Sequence, residues 1–339
     1  MPNSPGHGAY LGTAHFGSLD GLRCIAVLCV VWAHGPGTFF LRGYGRFGVH
    51  LFLALSGFLI TTLLLRERAR TGGISISKFY ARRALRIFPL YYAVLLGYLI
   101  AVLAFGRNHP RGEEFLSNAP YFATYTINWH HTGPLNILFG HAWSLAVQEQ
   151  FYFAWPLLLA FLPPRGALIG LALALSSSVW FSGVRMSPAI FFGASLAFLL
   201  NSPRGFILLW PVFGRYGAAP IAAVLLAGAV TMRLPAPVQG LLAAALIAAC
   251  VIREDNGLAP ALQWPPLVQA GLIGYGVYLL HLPIYSAVSR LGTALAFPLK
   301  PYQAPGFILT LALTIGAAFI THRYFEAPFL KLRTRFSTR

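Results

Sequence analysis

In 339 residues that are 57% hydrophobic and only 10% charged, with a mean hydropathy of +0.66, there is too little polar surface to cover a soluble globule of this size. Strands of about ten residues with alternating polarity, the mark of a membrane barrel, are missing, whereas apolar runs near the roughly 20 residues that span a bilayer recur. The formal charge of +17 would suit nucleic acid, but its placement fits membrane topology and anionic lipid, which argues against a nucleic-acid partner.

The fold class expected is all-α, a polytopic transmembrane bundle of about ten spans near 19–34, 47–65, 84–105, 141–162, 166–182, 187–200, 216–232, 237–252, 267–289 and 306–325. A cytoplasmic segment over 1–18 precedes a membrane domain over 19–330, and a basic cytoplasmic tail covers 331–339. Residues 1–18 lack a basic n-region and the first apolar run has no small-residue cleavage site, so the first span is expected to stay as an anchor. The stretch PRGFILLWPVFG, 203–214, is short and bounded by prolines, which reads as an interfacial or re-entrant piece. With the N-terminus inside, 17 basic side chains fall on the inner side and 8 outside, so both termini are expected in the cytoplasm. Cys24, Cys29 and Cys250 make no disulfide or metal pattern and read as packing residues.

The first span, LDGLRCIAVLCVVWAH, carries Asp20, Arg23 and His34. At about 100° per residue, Arg23 and His34 end about 20° apart around the helix and Asp20 about 40° from His34, so all three can face one interior. The rise of about 1.5 Å per residue separates Arg23 from His34 by roughly 16 Å, which sets Arg23 at the inner boundary and His34 deep in the outer half. Ionisable groups at such depth cost several kcal/mol unless they face a bundle interior or water, which makes function their default reading. A plain ion pair between Asp20 and Arg23 would also account for those two.

In SKFYARRALRIFPLYY, 77–92, Lys78, Arg82 and Arg86 follow one helical row and Arg83 lies three residues before Arg86. Such guanidinium groups suit phosphate oxygens, although a positive-inside stop signal would have the same composition. Pro89 is expected to bend or restart the helix. A long outer loop is expected over 106–140. It holds His109 and the pair His130 and His131, which lacks the partners of a zinc site. Tyr121, Tyr125 and Trp129 of that loop suit either sugar stacking or an interfacial aromatic belt. His141 follows at the start of the next span without an assigned role.

Six stretches in order carry a likeness: LDGLRCIA with His34 eleven residues after Arg23; LFLALSGFLI at 51–60; KFYARRALRIFPLYY at 78–92; HAWSLAVQEQFYFAWPLLL at 141–159; YGVYLLHLPIY at 275–285; and RYFEAPFL at 323–330. From Leu19 to about Leu330 the chain resembles the acyltransferase-3 membrane proteins. The resemblance implies transfer of an acyl group, by default acetyl, from cytosolic acyl-CoA to a hydroxyl of a carbohydrate such as an exopolysaccharide or lipid-linked glycan. It implies a multi-pass protein of the cell inner membrane, in contact with lipid and with polysaccharide assembly proteins. Acyl-CoA, acetyl-CoA in the default case, is then a donor substrate, and neither a resident cofactor nor a metal is expected.

By the same resemblance His34 matches the essential histidine, Arg23 the arginine before it, and Arg83 and Arg86 the arginines that meet coenzyme A, with Lys78 and Arg82 beside them. Asp20, Ser56, Ser144, Gln148, Glu149, His281 and Glu326 stand at recurring motif positions. Glu326 could brace Arg323, and His281 suits a packed core residue as well as a pathway residue. Gln148 departs from the family, which usually has glutamate there. Glu149 points about 100° away and cannot take over its direction. His34 would act as a general base on the acceptor hydroxyl or as a nucleophile forming an acyl-imidazole. The chain continues 13 residues past Glu326, so transfer is expected to be completed by the membrane domain. A transporter or channel, or an inactive scaffold of a polysaccharide assembly complex, are the competing readings.

Overall fold

The computed structural model describes residues 6–35, 44–130, 137–180, 186–295, 297 and 303–336. His131 and the basic residues Arg42, Arg185, Lys300 and Arg339 of the charge count lie outside them, as do 181 and 182 of the expected fifth span. All regular structure among the described residues is helical.

A short helix α1 (His7–Gly12) leads into α2 (Gly17–His34), where Asp20 in the first turn complements the positive end of the helix. Then come α3 (Tyr44–Thr71) and α4 (Ile76–Phe105). α4 runs unbroken through Pro89, so the arginine cluster and the following span form one helix that does not restart at the proline. Tyr275 Oη, from the later helix Gly274–Ala294, donates to Ile87 O two residues before this proline at 2.8 Å and ties the two helices together.

The expected outer loop is helical where it is described. α5 (Pro110–Ala123) folds back along α4, with Tyr91 and Tyr92 donating from Oη to the carbonyls of Phe122 and Ala123, both at 2.9 Å. A single turn α6 (Ile127–His130) follows. Buried Phe115, Phe122 and Tyr125 pull this segment against the middle of α4.

After a 3₁₀ turn at Gly140–Ala142 the chain continues as α7 (Trp143–Phe161), α8 (Pro164–Trp180), α9 (Pro188–Asn201), α10 (Pro203–Phe213), α11 (Ala218–Thr231) and α12 (Ala236–Ile252). α10 turns 107° from α9, with Pro203 at its first turn. Then follow α13 (Ala259–Leu262), α14 (Pro265–Leu272), α15 (Gly274–Ala294), α16 (Ala304–Ile320), a π-helical turn at Thr321–Glu326, and α17 (Ala327–Arg333).

The span expected over 267–289 is broken, because α14 and α15 meet at 71°. Glycine makes this break usable: a Cβ on Gly271 would lie 2.2 Å from the Asp20 carbonyl oxygen, so only glycine lets α14 press against α2. The closest packing joins α3 to α9, where a Cβ on Gly57 would lie 1.9 Å from Ile190 O and one on Gly193 2.0 Å from Ala54 O.

Among the described residues, four helices are long and apolar enough to cross a membrane, and up to six if each bent pair counts once. Leu96, Ile100, Phe105, Phe153, Phe161 and Ile169 stand exposed on the outside of the bundle, an apolar exterior that water would not tolerate. The chain is therefore a multi-pass membrane protein.

Candidate functional site

A cavity of about 480 Å³ opens where α14 and α15 part. Arg23 and Val27 of α2, Ser56 of α3, Arg83 and Arg86 of α4, and Gln148 and Tyr152 of α7 line it. Gly271, Leu272, Gly274 and Tyr275 line it from the broken helix, and His322, Leu330 and Arg333 from the C-terminal turn. Irregular backbone at membrane depth is tolerated where it borders a cavity, and here it is used: Arg86 Nη2 donates to the freed Leu272 carbonyl at 3.0 Å.

The sequence-selected cations separate into two groups. Arg83 lies over the rings of Tyr152 at 5.0 Å and Phe79 at 5.7 Å and has no carboxylate within ion-pair distance among the described residues. Glu149 is its electrostatic neighbour, with Oε1 buried and without a hydrogen-bond partner. Arg82 faces away, donating to Phe336 O at 2.7 Å and reaching Glu67 Oε2 at 3.5 Å. Lys78 is exposed and does not line the cavity. Neighbours in sequence thus face different surroundings, which the helical row through Lys78, Arg82 and Arg86 does not separate.

Asp20 is buried and does not line the cavity. Its Oδ1 accepts from Arg23 Nη1 and its Oδ2 lies 2.6 Å from His15 Nε2. The carboxylate thereby fixes Arg23, which still turns to the cavity. Glu326 pairs with Arg86 at 3.3 Å and lies 3.7 Å from His322, not with Arg323, which is exposed. The π-helical turn aims Glu326 inward at α4 and leaves Arg323 on the outside. Gln148 Nε2 donates to Tyr152 Oη at 2.7 Å.

His34 is not among the cavity-lining residues. It is the last residue of α2 and its side chain is exposed, rather than enclosed midway. The buried imidazoles beside it are His281 and His141. The ring centroids of His34 and His281 are 5.0 Å apart, and those of His281 and His141 5.2 Å. His281 Nδ1 lies 2.6 Å from Tyr278 O and its Nε2 3.4 Å from His34 Nδ1. Ser144 Oγ is 2.7 Å from Tyr278 Oη, which donates to His141 O at 2.7 Å.

Three helices therefore carry polar groups from the cavity toward His34. Gln148, Ser144 and His141 do so along α7 and the turn before it, Tyr275, Tyr278 and His281 along α15, and Arg23 and His34 stand on α2. Buried Val27, Val30 and Val31 pack between the two ends of α2. Sequence reasoning missed His141, Tyr278, His322 and Arg333. The spacing of 141, 144 and 148, and of 275, 278 and 281, puts each set on one helical face and could have signalled the first two.

In the segment over 106–130, Tyr125 is buried against Tyr91, ring centroids 4.3 Å apart, and is not available to a sugar. Trp129 and His130 are exposed, and His109 caps α5. Among the described residues no group of three or more His, Cys, Asp or Glu could hold a metal ion.

A profile of an acyltransferase domain matches residues 16–323, a range that includes Arg23, Arg83 and Arg86 of the cavity and also His34. The chain belongs to the acyltransferase-3 family. This acyltransferase-3 chain is 29% identical to a peptidoglycan O-acetyltransferase of Listeria monocytogenes, over 93% of its own length and 56% of the relative's. It is 26% identical to a putative peptidoglycan O-acetyltransferase of Bacillus subtilis, over 91% of itself and 54% of that protein. A putative O-acetyltransferase of Staphylococcus aureus is also 26% identical, over 98% of this chain and 60% of the relative. The chain thus spans little more than half the length of these relatives. No solved structure matches it.

Proposed function

We propose that this acyltransferase-3 chain moves an acetyl group from cytosolic acetyl-CoA to a hydroxyl of a cell-envelope carbohydrate, an exopolysaccharide or a lipid-linked glycan, on the far side of the cell inner membrane. The observation that carries the reading is a cavity ringed by Arg23, Arg83, Arg86 and Arg333 in the same bundle as the exposed His34 at the far end of α2. Arg83, with Glu149 near it but no ion-paired carboxylate among the described residues, suits a phosphate of the donor. Arg23 is held ready by Asp20. Relatives named as peptidoglycan O-acetyltransferases support a glycan as the acceptor.

In this reading the phosphates of the donor rest on Arg83 and Arg86 and its arm passes Val27 toward His34. His34 takes the proton of the acceptor hydroxyl while the oxygen bonds to the thioester carbonyl carbon. The carbon–sulfur bond breaks, and the departing thiolate recovers that proton as coenzyme A thiol. Formation of an acyl-imidazole on His34 would split the same transfer into two steps. The topology that goes with this has ten spans and both termini in the cytoplasm, which places the arginine-lined cavity on the donor side.

The test is label transfer from radiolabelled acetyl-CoA to candidate glycans by the protein purified in detergent. Transfer is expected, and His34→Ala is expected to lower it at least a hundredfold, the usual weight of a general base. Transfer that survives His34→Ala would overturn the reading. Gln148 favours one rival, an inactive scaffold, which would bind coenzyme A and release no labelled product.

A further inference from the structure

We propose that His281 is the positioning residue of His34: its Nε2 lone pair holds the His34 proton on Nδ1 and so presents Nε2 of His34 as the free basic nitrogen. The proposal rests on the reading of His34 as the reacting imidazole, and it follows from where two carbonyls lie. His281 Nδ1 is 2.6 Å from Tyr278 O. A carbonyl only accepts, so this nitrogen carries the proton and the Nε2 of neutral His281 is a bare acceptor. That acceptor lies 3.4 Å from His34 Nδ1, and Val30 O lies 2.8 Å from the same atom. A lone pair there would face two acceptors, whereas an N–H is shared between them. The His34 proton is thus assigned to Nδ1, and the exposed ring keeps its lone pair on Nε2.

No carboxylate is ion-paired with His34, His281 or His141 among the described residues. The orienting part that an aspartate plays in a serine-protease triad falls here to a neutral imidazole and a backbone carbonyl. One residue organises the support. Tyr278 holds His281 through its carbonyl and the backbone of His141 through its hydroxyl. His141, 5% exposed, packs edge to face on His281. The proton on Nδ1 does not move during transfer. It stabilises the imidazolium that forms when Nε2 takes the acceptor's proton.

The experiment is nitrogen-15 NMR of histidine-labelled protein in lipid nanodiscs, with the His34 signals assigned by their loss in His34→Gln. The wild type is expected to show one neutral tautomer for His34, protonated at Nδ1. His281→Gln, whose amide oxygen can stand where Nε2 stood, should keep that tautomer. His281→Asn still reaches Tyr278 O but leaves Val30 O as the remaining acceptor at His34 Nδ1, and should raise the share of the Nε2-protonated tautomer. In acetyl transfer His281→Asn should lower kcat on the order of ten- to a hundredfold, the usual cost of losing an orienting partner, without changing KM for acetyl-CoA. His281→Gln should recover most of that loss. A His34 proton found on Nε2 in the wild type, or a His281→Asn protein with unchanged tautomer and kcat, would overturn the proposal. If His34→Ala leaves transfer intact, the functional reading fails by itself, and the NMR result still decides which nitrogen His281 controls.

Discussion

Arg82 and Arg83 are adjacent, yet one is tied to Phe336 O and Glu67 while the other lies over Tyr152 on the cavity wall. Charge-assisted hydrogen bonds contribute roughly 1.5–3 kcal/mol, which is about ten- to a hundredfold in affinity. Arg83→Gln is therefore expected to weaken coenzyme A binding by that factor in isothermal titration. Arg82→Gln should leave affinity unchanged and lower thermal stability, because buried Glu67 and the Phe336 carbonyl lose a donor. Gln148 keeps the cavity wall neutral at one of its few polar, non-basic positions. Gln148→Glu would bring a negative charge into the space proposed for the donor phosphates and should weaken coenzyme A binding severalfold in the same titration.

At the scale of elements, the close contact between α3 and α9 sets the framework on which Ser56 and the cavity wall stand. Overpacking a tight interior commonly costs about 1–3 kcal/mol, and a side chain at Gly57 meets backbone rather than a movable group. Gly57→Leu should lower the unfolding temperature in a fluorescence-detected melt, whereas Gly97→Leu, with open space around it, should not. The helices that carry Arg23, His34, Arg83 and Arg86 were legible because long apolar runs and regular spacing survive in any membrane context. What escaped was decided by tertiary contact. The glycines of GLIGYG, 271–276, do not show in sequence that α14 turns 71° from α15 or that Asp20 O is what Gly271 meets. Nor does the aromatic composition of 106–130 say that the segment folds back on α4. That depends on Tyr91 and Tyr92 finding the carbonyls of Phe122 and Ala123. His34 fell on the expected helix but at its exposed end, since the helix stops at Gly35.

For the whole molecule, the proposed topology gathers 17 of the 25 basic residues at one end of the bundle. Several of them are structural there: Arg66 donates to the carbonyls of Tyr10 and Thr13 at 2.7 and 2.6 Å, and Arg68 to Leu159 O at 2.9 Å. The proposed orientation puts that end in the cytoplasm. A single cysteine at Gly72 in a cysteine-free background should then be labelled by an impermeant maleimide only after the cells are opened, and one at Arg107 in intact spheroplasts. The reverse pattern would invert the bundle and remove the cavity from the donor side.

The roof of the cavity is built from the far end of the chain. His322, Leu330 and Arg333 close one side, and α17 is moored to α4 through Glu326 with Arg86 and Phe336 with Arg82. An attachment placed behind Phe336 is tethered to the segment that brings Leu330 and Arg333 to the cavity wall. Affinity handles and reporter proteins placed there would alter how quickly small molecules enter and leave, while the same attachments before His7 would leave that wall undisturbed.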